Sequence, residues 1–74
     1  MTIAELRRYQ EKTVILRLHD GEIATVTVTF VDAEYEDIIV DIISTNHPEK
    51  YKSPSNAVYV IEAAALASVE EISN

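Results

Sequence analysis

The chain has 74 residues, of which 47% are apolar and none is cysteine. That bounds it to one small domain without disulfides or thiolate metal sites, and it excludes a disordered chain. The net charge of −7 at pH 7 repels phosphate, but it is unevenly divided: residues 1–17 set four cations against two acids, and the remainder sets two cations against eleven acids.

Thr2-Ile3-Ala4-Glu5 has the form of a capping box, and Ile3 and Leu6 recur at helical spacing. This predicts a short helix over residues 3–11, which must dock on something because it is too short to stand alone. Residues 13–19 alternate as a strand, with Val14, Leu16 and Leu18 on one face. Asp20-Gly21 then supplies a hairpin turn. Residues 22–31 form a second strand, with Ala24, Val26, Val28 and Phe30 on the inner face and threonines opposite.

Asp32 to Asp37 reads as an acidic turn. Residues 38–43 are apolar on both faces apart from Asp41, which predicts a strand covered on both sides. Residues 44–56 are a polar loop containing two prolines, the longest irregular stretch and the place where function tends to sit. Residues 57–61 form a fourth strand, residues 62–65 a sharp connection, and residues 66–72 a fifth strand. No apolar run approaches the roughly 20 residues of a membrane span. Glu5, Arg7 and Arg8 do not suit a signal peptide, so the expected location is cytoplasmic.

Two stretches resemble motifs of the Sm-like family, which includes Hfq. Leu16-Arg17-Leu18-His19-Asp20-Gly21, with Asp32 eleven residues beyond Gly21, resembles the first motif. Ile61-Glu62-Ala63-Ala64-Ala65-Leu66-Ala67-Ser68-Val69 lies in register with the second. The resemblance implies a mainly β fold in a single domain, 1–74: a short helix, then a five-stranded, strongly bent open barrel (Sm-like/SH3-like) over 13–72. It also implies a homo-oligomeric ring pairing the fourth strand of one subunit with the fifth of the next. Where the family has a base pocket this chain is substituted. Glu36 or Asp37 aligns with the asparagine of the first motif, and Glu62-Ala63 replaces the Arg-Gly of the second. Val26 stands where the family has a glycine in the bent second strand.

Catalytic chemistry has little to stand on. His19, His47, Ser53 and Ser55 lack the spacing of a nucleophile and base, so the expectation is no enzyme, no cofactor and no catalytic residue. Asp32, Glu34, Glu36, Asp37 and Asp41 gather carboxylates. However, Asp37 and Ile43 occupy the glycine and glutamate places of a calcium loop, so the expectation is a solvated acidic turn and no metal. Two basic groups remain: Arg7, Arg8 and Lys12 beside Tyr9, and Lys50-Tyr51-Lys52. Cations next to an aromatic ring suit a nucleic-acid backbone and a stacked base. The bland alternative is that they solvate a helix and a loop tip. The expected function is a non-enzymatic Sm-like oligomer, RNA-associated through Arg7, Arg8, Lys12, Lys50, Tyr51 and Lys52. The alternative, which Glu62 and the acidic turn favour, is a protein-interaction or structural homo-oligomer that does not bind RNA.

Overall fold

The computed structural model describes residues 1–51 and 58–72. Thr2 opens a helix, α1 (Ile3–Leu6): its Oγ1 accepts from the Glu5 N–H at 3.3 Å and donates to the Glu5 carboxylate at 3.0 Å. The predicted helix over 3–11 is thus shorter than expected. After one turn it tightens into a 3-10 turn, Arg7–Tyr9, and Glu11 reverses the chain at a φ of 66°. Leu6 is buried, and Met1, Ile3 and Tyr9 pack beside it, so docking rather than propensity holds this segment.

Five strands follow: β1 (Thr13–Leu18), β2 (Ile23–Asp32), β3 (Asp37–Thr45), β4 (Val58–Glu62) and β5 (Leu66–Glu71). All neighbours are antiparallel, in the order β4-β3-β2-β1-β5. Val14, Leu16, Ala24, Val26, Val28, Ile38, Val40, Ile61 and Leu66 form the core on one face, with Leu6 against them. Burial on that face follows the period of two read from the sequence for β1 and for β2 as far as Val28.

The sheet is open. This corrects the expected strongly bent Sm-like barrel: the five strands form one open, uncurled sheet, with β4 and β5 at its two edges. Two causes are visible. Ala63–Ala65 forms a 3-10 turn instead of a hairpin, with the Ala63 N–H bound to the Glu36 carbonyl at 2.9 Å and the Ala65 carbonyl bound by the His19 N–H at 3.0 Å. The chain therefore passes from the flank of β3 to the flank of β1, and each edge strand keeps one partner. Val26, where a strongly bent strand calls for glycine, carries a buried β-branched side chain.

Two irregularities move side chains from their expected faces. The β2–β3 register shifts between Val28 and Phe30, where the Thr29 hydroxyl donates to the Ile39 carbonyl at 3.0 Å. One extra residue inverts the alternation, so Phe30 is 48% exposed and Val31 fills the core instead. A second shift between Thr25 and Val26 leaves Ile43 unpaired and 60% exposed. The prediction that residues 38–43 are covered on both faces therefore fails. Ile38 and Val40 are buried, whereas Ile39, Asp41 and Ile42 are half-buried.

The turn between β1 and β2 is longer than the two-residue hairpin expected. The Gly21 N–H bonds the Leu18 carbonyl at 3.1 Å, and the Leu18 N–H bonds the Glu22 carbonyl at 2.9 Å. Gly21 sits at a φ of +95°, with open space where a Cβ would point. Gly21→Ala therefore meets no clash and pays only backbone strain, about 1–2 kcal/mol. A fall of several degrees in melting temperature, measured by circular dichroism, is the expected result.

Candidate interaction surface and the buried Glu22 cluster

Glu22 has 0% of its surface exposed. A carboxylate in that position must be satisfied, and three side chains do it. One oxygen accepts from Lys50 Nζ at 2.7 Å and from the Tyr51 hydroxyl at 3.0 Å, and the other accepts from the Thr45 hydroxyl at 2.6 Å. Lys50 also donates to Asp20 at 2.6 Å, and the Glu22 N–H donates to the other Asp20 oxygen at 3.0 Å. The Ile23 N–H reaches Asn46 Oδ1 at 2.8 Å. Together these bonds clamp residues 45–51 onto the β1–β2 turn. The Tyr51 ring then meets Tyr59 of β4 edge-on, with centroids 4.7 Å apart and planes at 74°.

The electrostatics follow from this arrangement. Burial alone pushes the Glu22 carboxyl up, but donation from Lys50, Thr45 and Tyr51 outweighs it and leaves the group below the ordinary carboxylate range. Asp20 is lowered by Lys50 and by the Glu22 N–H. Lys50 is raised by its two carboxylate partners. The Tyr51 hydroxyl is pushed up to about 12 by burial and by its bond to Glu22. Every buried side-chain nitrogen or oxygen among the described residues has a partner, so the cluster presents no orphaned donor or acceptor to a ligand. It acts as a structural clamp.

The residues singled out for RNA fall in two places. Arg7 and Arg8 are exposed on the 3-10 turn, with the Arg8 guanidinium 5.7 Å from the Tyr9 ring centre. Lys12, next to them in sequence, pairs with Glu71 at 2.9 Å. Lys50 and Tyr51 belong to the Glu22 clamp, and Lys52 lies outside the described residues. Lys12 precedes β1 and the clamp follows it, so a whole strand separates the two groups, roughly 20 Å at the usual rise. The four substituted pocket positions do converge. Asp37 pairs with Glu62 across β3 and β4, and Ala63 bonds Glu36. They bring carboxylates to that spot, which offers acceptors and negative charge where the family offers arginine.

The outer face of the sheet, away from the core, carries a pattern that sequence reasoning missed. Phe30, Ile39 and Val60 are cross-strand partners in one row over β2, β3 and β4; Asp32, Asp37 and Glu62 form the next row. Val60 is 62% exposed and Val58 56% exposed. Asp32 Oδ1 accepts from the Glu34 and Tyr35 N–H groups at 2.9 and 3.2 Å, which shapes the acidic turn. Among the described residues no three His, Asp or Glu side chains are placed to hold a metal ion, and no helix is long and apolar enough to cross a membrane.

No protein-family model, curated protein or solved structure matches the chain. The resemblance to Sm-like proteins is corrected by the structure, because the sheet is open and uncurled. The RNA-associated Sm-like module falls with it, because that function rested on the family's barrel. The two basic groups, at opposite ends of β1, do not replace it.

Proposed function

We propose that this chain is a non-enzymatic structural or protein-interaction module of the cytoplasm that associates with copies of itself through its sheet edges, β4 and β5, and does not bind RNA. The observation that carries this reading is the β4 edge. Among the described residues no strand pairs with its far side; Val58 and Val60 stand exposed on it, and half-buried Ile39 and exposed Phe30 continue the Val60 row inward over β3 and β2. Open apolar edges template pairing with another chain unless charge, proline or a bulge guards them. Charge guards β4 only at Glu62.

The acidic surface supports the second half of the reading. Association driven by strand pairing and apolar contact survives a net charge of −7, whereas counterion-driven binding to a phosphate backbone is opposed by it. Native mass spectrometry at micromolar concentration is expected to give a discrete multiple of the 8.3 kDa chain. Fluorescence anisotropy with short oligo-U and oligo-A is expected to stay flat down to low salt. A monomer overturns the self-association, and salt-sensitive RNA binding overturns the exclusion of RNA.

A further inference from the structure

We propose that the outer face of the sheet is a docking site for an amphipathic, lysine- or arginine-rich helix of another protein, laid across β2, β3 and β4 with its apolar side on Phe30, Ile39 and Val60. The site is the face and not the edge, so the inference goes beyond the self-association proposed above and does not depend on it.

The apolar row sets the shape of the occupant. Phe30, Ile39 and Val60 are cross-strand partners, so the row runs across the strands. Phe30 and Val60 are exposed, and Ile39 is half-buried between them. Neighbouring strands lie about 4.8 Å apart, so the row is about 10 Å long and offers one side chain per strand. An α-helix rises about 1.5 Å per residue. Apolar side chains at i, i+3 or i+4, and i+7 therefore advance by about 5 Å a step and cover about 10 Å. The two repeats match when the helix lies along the row. An extended segment repeats its side chains on one face every 7 Å or so and falls out of step with the strands. Among the described residues no strand lies beyond Val60 to obstruct the helix.

Charge decides the chemistry of the partner. One pleat along the strands, about 7 Å from the row, Asp32, Asp37 and Glu62 stand side by side. On the other flank Asp41 stands between Thr27 and Val58. Residues 18–49 contain no lysine or arginine, and β4 has none. Like charges directly opposite one another destabilise a sheet, and among the described residues no ion pair offsets these carboxylates. Cations on the two sides of a docked helix meet them and relieve the repulsion, so the potentials are complementary. Nucleic acid and anionic lipid are repelled by the same carboxylates. A second copy does not suit the face, because two such faces stacked together set these carboxylates against their own kind. The chain's own basic segment does not suit it either. Arg7 and Arg8 are exposed, but Leu6, which supplies the apolar side of that segment, is buried in its own core. The occupant is a separate protein.

A synthetic helix tests the proposal on the full chain. The probe is an alanine-based peptide of about 20 residues, with leucine at i, i+3 and i+7, lysine at the flanking positions, and a fluorescein label read by anisotropy. Saturable binding is expected, weakened by salt but not abolished. Phe30→Ser is expected to weaken it about tenfold or more, and Asp37→Asn with Glu62→Gln roughly tenfold. A peptide with glutamate in place of lysine, and one whose leucines are scattered around the helix, are expected not to bind. Circular dichroism confirms that each variant is folded, and sedimentation velocity reports assembly in parallel. A monomeric wild type that binds the lysine peptide removes the self-association and leaves this site standing. A wild type that fails to bind it at concentrations up to about 1 mM overturns the site, whether the chain is assembled or not. So does equal binding by Phe30→Ser, by the neutralised pair or of the scattered peptide. An assembled wild type whose Phe30→Ser variant is monomeric also overturns it, by giving the face to a second copy.

Discussion

Glu22→Ala is expected to lower the melting temperature by about 10–20 °C, the largest loss of stability from any single polar change in this chain. Three donors, from Thr45, Lys50 and Tyr51, end on one fully buried carboxylate. Removing it leaves the Tyr51 hydroxyl and the Lys50 ammonium without their buried acceptor. Breaking a wholly buried pair costs about 3–5 kcal/mol. Lys50 is 36% exposed, so water relieves part of this loss, and about 2–3 kcal/mol is the expected cost. In a domain of this length each kcal/mol moves the melting temperature by about 4–8 °C. Glu22→Gln keeps the shape and an acceptor oxygen and should cost less. Thermal denaturation followed by circular dichroism, at matched protein concentration, checks both.

The same cluster fixes the pH range of stability. Glu22 and Asp20 are held below their ordinary values of 4.5 and 3.8. Groups depressed by folding contribute stability that is present above the unfolded value and lost as pH falls through the folded one. The clamp is therefore intact at neutral pH and weakens below about pH 4.5. Tyr51 works on the other side. Its hydroxyl is raised to about 12 from an ordinary 10.0, so its contribution is complete below pH 10 and drains away as pH rises toward 12. Glu22→Gln should flatten the acid limb of the stability profile. An acid limb as steep as in the wild type would show that other carboxylates set it.

The parts of this fold that were legible in the sequence are those governed by local rules. The Thr2 cap, the alternation of β1 and the threonine face of β2 follow from short-range hydrogen bonding and a period of two. What escaped depends on contacts distant along the chain. Phe30 continues the apolar alternation, and nothing local marks Thr29 as the point where the ladder slips, because the Ile39 carbonyl that captures its hydroxyl is ten residues away. Glu22 reads as an ordinary polar residue after a turn. Its burial is set by Thr45, Lys50 and Tyr51, some two dozen residues or more downstream. Lys50-Tyr51-Lys52 suggested a nucleic-acid grip because a cation and an aromatic side by side look free in a sequence, yet the structure gives both Lys50 and Tyr51 to Glu22. The barrel expectation failed for a related reason. The motif positions match as residue types, but how far the sheet curls depends on contacts distant along the chain, such as the bonds from the Ala63–Ala65 turn to Glu36 and His19. The one signal for the outer-face surface is the doubly apolar character of residues 38–43, which predicts burial within the chain; on the open sheet it leaves apolar side chains facing solvent.

Val60→Lys is expected to abolish self-association while leaving the chain folded. Val60 is 62% exposed, so its replacement removes little packing within the chain. At a strand edge an inserted lysine is one of the commonest devices by which native proteins block pairing. Sedimentation velocity should show the assembled wild type replaced by monomer, and the far-ultraviolet spectrum should be unchanged. The melting temperature should depend on protein concentration for the wild type and not for the variant, because only an assembling chain is stabilised by mass action. Phe30→Ser separates two ways the surface could act. Phe30 lies in the same outer row, two strands in from the edge. Contact by strand pairing leaves Phe30 outside the new ladder, so Phe30→Ser should assemble like the wild type. If both substitutions give monomers, the copies meet through the apolar face and not through the edge; if Val60→Lys assembles normally, β4 is not the contact at all.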